Sequence, residues 1–199
     1  GKLLRMYAVP GIIAQTAASL YNMVDSIYIG HIKDIGAFAI SGLAVTFPMM
    51  NLSVALGTLV GVGAMTMISV LLGQKDYDKA RKVLNTTLSL NIIVGAIFSI
   101  VSLLFLDPIL TFFGASENTL PFARDYMTII LIGNIITHLY FGLNGVLRAS
   151  GHPKTAMGLT LFTVISNSVL DPLFIFVFDL GIKGAAIATG LGQLVTVFI

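Results

Sequence analysis

Apolar residues recur along this chain in segments too long for ordinary soluble helices, and they leave little else from which to fold. Of 199 residues, 56% are hydrophobic and 10% are charged, with a mean hydropathy of +0.96. An average soluble domain is about 25% charged. The apolar excess is spread over the whole length, which reads as an all-α, polytopic membrane protein. Inside a bilayer the backbone has no water to bond, so each span must satisfy its own polar groups as a helix. Six apolar segments stand out, at about 6–29, 36–72, 83–106, 121–147, 155–178 and 184–199. The expected fold is therefore a six-helix transmembrane bundle.

The segments carry further information. The first is longer than a signal-peptide core and no small-residue cleavage site follows it, so it reads as a span. The second would reach about 54 Å as a straight helix, against a hydrocarbon core of about 30 Å. It must project from the bilayer, tilt strongly or break, with Pro48, Gly57, Gly61 and Gly63 as candidate bend points. The sixth is still apolar at Ile199, so the last span reads as truncated and the chain as a fragment of a longer transporter-like polypeptide. Cysteine is absent, which excludes thiol-ligated metal. A net charge of +2 argues against a nucleic-acid partner.

The loop charges set an orientation. Lys2, Arg5, Lys75, Lys79, Arg81, Lys82, Arg148 and Lys154 fall on one side, and Lys33, Arg124 and Lys183 on the other. By the positive-inside rule the N-terminus is cytoplasmic and the protein spans the inner (plasma) membrane many times. The loop GQKDYDKARK holds Asp76 and Asp78 among its cations, so it reads as a solvated loop rather than a lipid-binding patch.

Against this apolar background two carboxylates are conspicuous, Asp25 in YNMVDSIYIG and Asp171 in NSVLDPLFIF. A carboxylate inside a span is costly, so its presence points to proton relay, cation coordination or substrate contact. Asp25 precedes His31 by six residues, Asp171 precedes Asp179 by eight, and Thr189 follows Lys183 by six. At the helical rise these offsets are about 9, 12 and 9 Å, a shared depth in the outer half of the bilayer. Asn167 and Asp171 share a helix face, as do Asn22 and Asp25. Two Asp, two Asn and one Thr supply oxygen ligands for a hard cation such as Na⁺. The same carboxylates could equally carry a proton, and the residues leave H⁺ and Na⁺ both open. Plainer roles compete at other positions. Asp171 could bond an amide freed by Pro172, Tyr126 reads as an interfacial aromatic, and Gln15 and Gln193 read as interhelical glue. His31, His138 and His152 lack ligand spacing, so no metal site beyond a possible Na⁺ is expected.

The first segment, PGIIAQTAASLYNMVDSIYIG, resembles the opening of multidrug and toxic compound extrusion (MATE) transporters. The stretches FGLNGVLRASGHPK, NSVLDPLFIF and GIKGAAIATG resemble that family's fourth to sixth helices, in order and spacing. The resemblance covers essentially the whole chain and implies twelve helices in two six-helix lobes, of which residues 1–199 would be the N-terminal one. The second lobe of the same polypeptide would be its partner, beside membrane lipid and small-molecule drugs. It implies efflux of organic cations or amphiphilic drugs by antiport against H⁺ or Na⁺, with no cofactor and no enzyme activity. In the DinF-like branch, the ion-site residues match Asp25, Asn167, Asp171 and Thr189 here. Cavity residues match Tyr126 and Asn144, with Asn22 beside Asp25, and the proline linked to helix bending matches Pro10. Ala18 stands where some members have Gln. Two rivals differ in substrate or class. A lipid-linked oligosaccharide or lipid II flippase would need cations deep in the cavity, and no Lys or Arg lies deep within a span. A two-aspartate intramembrane protease would show Tyr-Asp and Gly-x-Gly-Asp patterns within its spans, and the apolar segments here have neither.

Overall fold

The protein was described from a computed structural model covering residues 2–33 and 35–199, with the side chains of residues 2–4 and 7 outside that description. Lys2, counted above in the charge asymmetry, is among those side chains. The chain forms α1 (Lys2–Gly30), α2 (Gly36–Gly73), α3 (Tyr77–Leu104), a short α4 (Leu106–Phe112), α5 (Leu120–Ala149), α6 (Pro153–Pro172), a π-helical segment (Leu173–Val177) and α7 (Ile182–Phe198). Among the described residues none forms a strand.

Several boundaries depart from the apolar segments, each for a local reason. α3 begins at Tyr77, inside the charged loop, because the Asp76 carboxylate accepts from the Lys79 backbone N–H and caps the helix. The residues after Leu104 form α4, a separate turn of helix held to α5 through the Arg124–Asp107 pair. α2 does not break at Pro48 but runs through it for 38 residues. Of the three options for that segment, projection and tilt remain. Near the end of α6 the pattern loosens to i→i+5, with the Phe178 N–H donating to Leu173 O at 2.9 Å. This follows Pro172, which has no N–H to keep the regular ladder.

Packing is inverted relative to a soluble protein. The buried face of α3 is Ala80, Thr87, Asn91, Gly95, Ser99 and Ser102. Its exposed face carries Leu90, Ile92, Ile93, Ile97, Ile100, Val101 and Leu104. Small and polar residues turned inward and apolar ones outward are what a lipid solvent selects. Among the described residues, four helices are long and apolar enough to cross a membrane: α2, α3, α5 and α6 with its π-helical extension. α1 and α7 are not among them. α7 has only 17 residues, and α1 carries Gln15, Thr16, Ser19, Tyr21, Asn22, Asp25 and Ser26. α5 is the hub, packed against α2, α7 and α3, while α1 packs chiefly on α6.

Candidate functional site

The α1–α6 contact follows from matching stripes. On α1 the buried positions Pro10, Ala14, Tyr21, Asp25 and Ile29 repeat at helical spacing. On α6 the matching stripe is Pro153, Ala156, Thr163, Asn167 and Asp171. Packing one on the other brings the two carboxylates inside the bundle, Asp25 at 7% exposure and Asp171 at 0%. Asp25, Asp171, Tyr21 and Tyr126 lie within electrostatic range of one another. α7 closes the site from a third side, with the Tyr21 and Thr189 hydroxyls 3.5 Å apart.

Four buried oxygens here have no hydrogen-bond donor within 3.5 Å, although the Tyr21 hydroxyl is near enough to Asp171 to turn towards it: Asp25 Oδ1, Asn167 Oδ1, and Asp171 Oδ1 and Oδ2. Asp171 therefore does not bond an amide freed at Pro172. Buried acceptors without donors are rare, because each forfeits its hydration. An ionised carboxylate offers acceptors only, so a proton on a carboxyl group, a hard cation or a buried water could complete the set. Thr189 adds a hydroxyl from α7. Among the described residues no cluster of three His, Cys, Asp or Glu side chains suits a transition metal.

The other sequence-predicted residues fall in different places. Asn22 is exposed while Asp25 is buried, so Asn22 is not the amide partner of that carboxylate. Tyr126 is not interfacial. It is 2% exposed and packs in the core with Ile29, Ala39, Leu43 and Ile175. Asn144 lies apart from the carboxylates and donates to Ala156 O and Thr160 Oγ1, both at 3.3 Å, tying α5 to α6. Pro10 is buried within an unbroken α1. Gln193 accepts from Thr137 at 2.6 Å, an interhelical bond between α7 and α5.

Three features escaped the sequence reading. Tyr21 belongs to the site, and its i, i+4 spacing from Asp25 was the available signal. Gly192 forms the surface beneath Asn167, where a Cβ would overlap Oδ1 and come 2.9 Å from Cγ. Nothing in the sequence marks that glycine among 20. His138 anchors a separate polar cluster in the α2–α3–α5 packing, with Ser53 Oγ 3.2 Å from its Nε2 and donating to Asn134 Oδ1 at 2.5 Å. Its ring fits between Gly57 and Gly95.

Fold and site together define a multi-pass helical membrane protein with a polar site in its interior. Residues 10–173 match the MatE family model, and the chain belongs to the MatE family. Over 192 residues it is 34% identical to the multidrug export protein MepA of Staphylococcus aureus (strain NCTC 8325 / PS 47), covering 96% of this chain and 42% of that protein. It is 32% identical to MepA of Staphylococcus haemolyticus, with the same coverage. A solved structure described as the outward-facing conformation of a multidrug resistance MATE family transporter of the MOP superfamily superposes with TM-score 0.91 at 29% identity, covering 98% of this chain and 43% of that one. The chain thus spans less than half the length of the relatives it matches.

Proposed function

We propose that this chain is the N-terminal lobe of a secondary active multidrug transporter, which exports organic cations or amphiphilic drugs by antiport against H⁺ or Na⁺. The observation that carries this reading is the group of four donor-less buried oxygens on Asp25, Asn167 and Asp171. Asp25 and Asp171 bind the ion, and Asn167 and Thr189 support it. Binding in the outward-facing state changes how α1 packs on α6 near Pro10 and favours drug release. Return to the inward-facing state delivers the ion to the cytoplasm, on the side of the N-terminus. The lobe rocks against a second lobe of the same polypeptide. Ion and drug need share no atoms, only opposite preferences for the two states. Asn22 and Asn144, which keep exposed surface, are the proposed cavity contacts, whereas Tyr126 packs in the core of the lobe.

Ethidium flux in proteoliposomes of the full-length transporter, driven by a pH or a Na⁺ gradient, tests this reading. Flux should follow one gradient and be lost in Asp25→Asn. Flux of that variant at the wild-type rate against a gradient refutes it.

A further inference from the structure

A cavity of about 330 Å³ lies among α1, α2, α5 and α6, at the end of the bundle that holds the α2–α3 turn. Its walls include Gly11, Met65, Thr66, Ser69, Arg148 and Pro153. It is far from the carboxylate site in the fold, since Asn144, itself apart from that site, is still four residues before Arg148.

Among the described residues, Arg148 is the cavity's only charged wall residue. It is half-buried, and among the described residues it makes no ion pair. Lys79, Arg124 and Lys183 each pair with a carboxylate although they are more exposed. A cation suits the last turn of α5. That placement does not explain why a guanidinium, with five donors in a rigid fork, should sit half-buried without an acceptor. The nearby hydroxyls do not add donors, because Thr66 donates to Val62 O and Ser69 to Ala149 O. The cavity therefore offers an anion one bidentate cationic clamp above apolar walls.

Depth narrows the anion. Ser69 and Met65 lie four and eight residues before the end of α2 at Gly73, or about 6 and 12 Å along its axis. The charged residues Lys75, Asp76, Asp78 and Lys79 follow the end of α2 directly, so this stretch lies next to headgroup level. A bidentate Arg recognises phosphate, and Met65 and Pro153 suit the glycerol and upper acyl carbons attached to it. We propose that this cavity binds the phosphate of an anionic phospholipid through Arg148. The occupant would touch α1 at Gly11, the residue after Pro10, and so brace the half of α1 that leads to that proline. A methyl on Gly11 would meet nothing within 4 Å, so Gly11 faces open space.

The test uses the full-length transporter in detergent, with added phosphatidylglycerol, phosphatidylcholine or inorganic phosphate. The readouts are the thermal unfolding midpoint and lipid retention in native mass spectrometry. Phosphatidylglycerol should raise the midpoint above phosphatidylcholine, and wild type should retain it about tenfold better than Arg148→Gln, the scale of one charge-assisted contact. Gly11→Leu, which fills the cavity and leaves the charge, should lose the same shift, while Gly11→Ala should keep it. An equal shift from inorganic phosphate alone supports the anion site and assigns it to the free ion. Equal shifts from phosphatidylglycerol in wild type, Arg148→Gln and Gly11→Leu overturn the proposal.

Discussion

Gly192→Ala should separate ion coupling from stability. In the folded lobe a Cβ at this position would overlap Asn167 Oδ1 and stand 2.9 Å from Cγ and 3.3 Å from Nδ2. What must move is the end of one side chain, because the atoms it meets all belong to the Asn167 amide. Overpacking costs about 1–3 kcal/mol when backbone must shift, and less when a terminal amide can rotate. The helix gains about 1 kcal/mol on replacing glycine by alanine, so net stability should change by less than about 1 kcal/mol. Rotating the amide displaces Oδ1 from its present position, and if Oδ1 is a ligand oxygen its loss should weaken ion binding about tenfold or more, on the scale of a hydrogen bond to a charged group. Two neighbours on α7 serve as controls. Gly184→Ala meets Phe174 C and O at 2.7 Å and Ile175 N at 2.9 Å, backbone that cannot rotate away, so it should cost about 1–3 kcal/mol. Gly190→Ala meets nothing within 4 Å and should stabilise by about 0.5–1 kcal/mol. The assay is the ion dependence of ethidium flux in proteoliposomes of the full-length transporter, beside unfolding midpoints in detergent. Wild-type ion dependence in Gly192→Ala would refute the placement of Asn167 as a ligand.

Three further outcomes follow from other parts of the fold. Asp171→Asn should abolish gradient-driven ethidium flux as Asp25→Asn does, because both supply donor-less oxygens to one site. His138→Ala should lower stability by about 2 kcal/mol through a cavity and the loss of the Ser53 bond, without altering which ion drives flux. Adding Gly95→Ala, whose Cβ would press on the ring at 3.3 Å, should cost less in that background than in wild type, as unfolding of the double variant will show. At the start of α3, hydrogen bonds from Lys79 hold the Asp76 carboxyl below the usual carboxylate range. Its folded value is depressed, so its contribution is present above the unfolded value and is lost as pH falls through the folded one. Protection factors at Lys79 and Ala80, which divide out the intrinsic pH dependence of exchange, should therefore fall at strongly acidic pH, and at all pH values in Asp76→Ala but not in Asp76→Asn, which can still cap.

The sequence alone was enough for the solvent, the helices and the residues to suspect. Long apolar segments permit only helices in a bilayer, and a carboxylate within them is expensive enough to mark itself, so Asp25, Asn167, Asp171 and Thr189 could be named from spacing and depth. Tertiary packing decided which of those atoms lack donors, and that Asn22 faces outward while Asp25 faces in. It also decided that Tyr126 is core rather than interface. Helical periodicity assigns a residue to a face, but which face is buried depends on the helices that pack against it, and α1 chose α6. Gly192, His138 and Arg148 were illegible for the same reason. A glycine is a platform only when something rests on it, and a histidine a joint only when Ser53 stands beside it. An arginine stands without an ion pair only once the described acidic side chains around it have found their places.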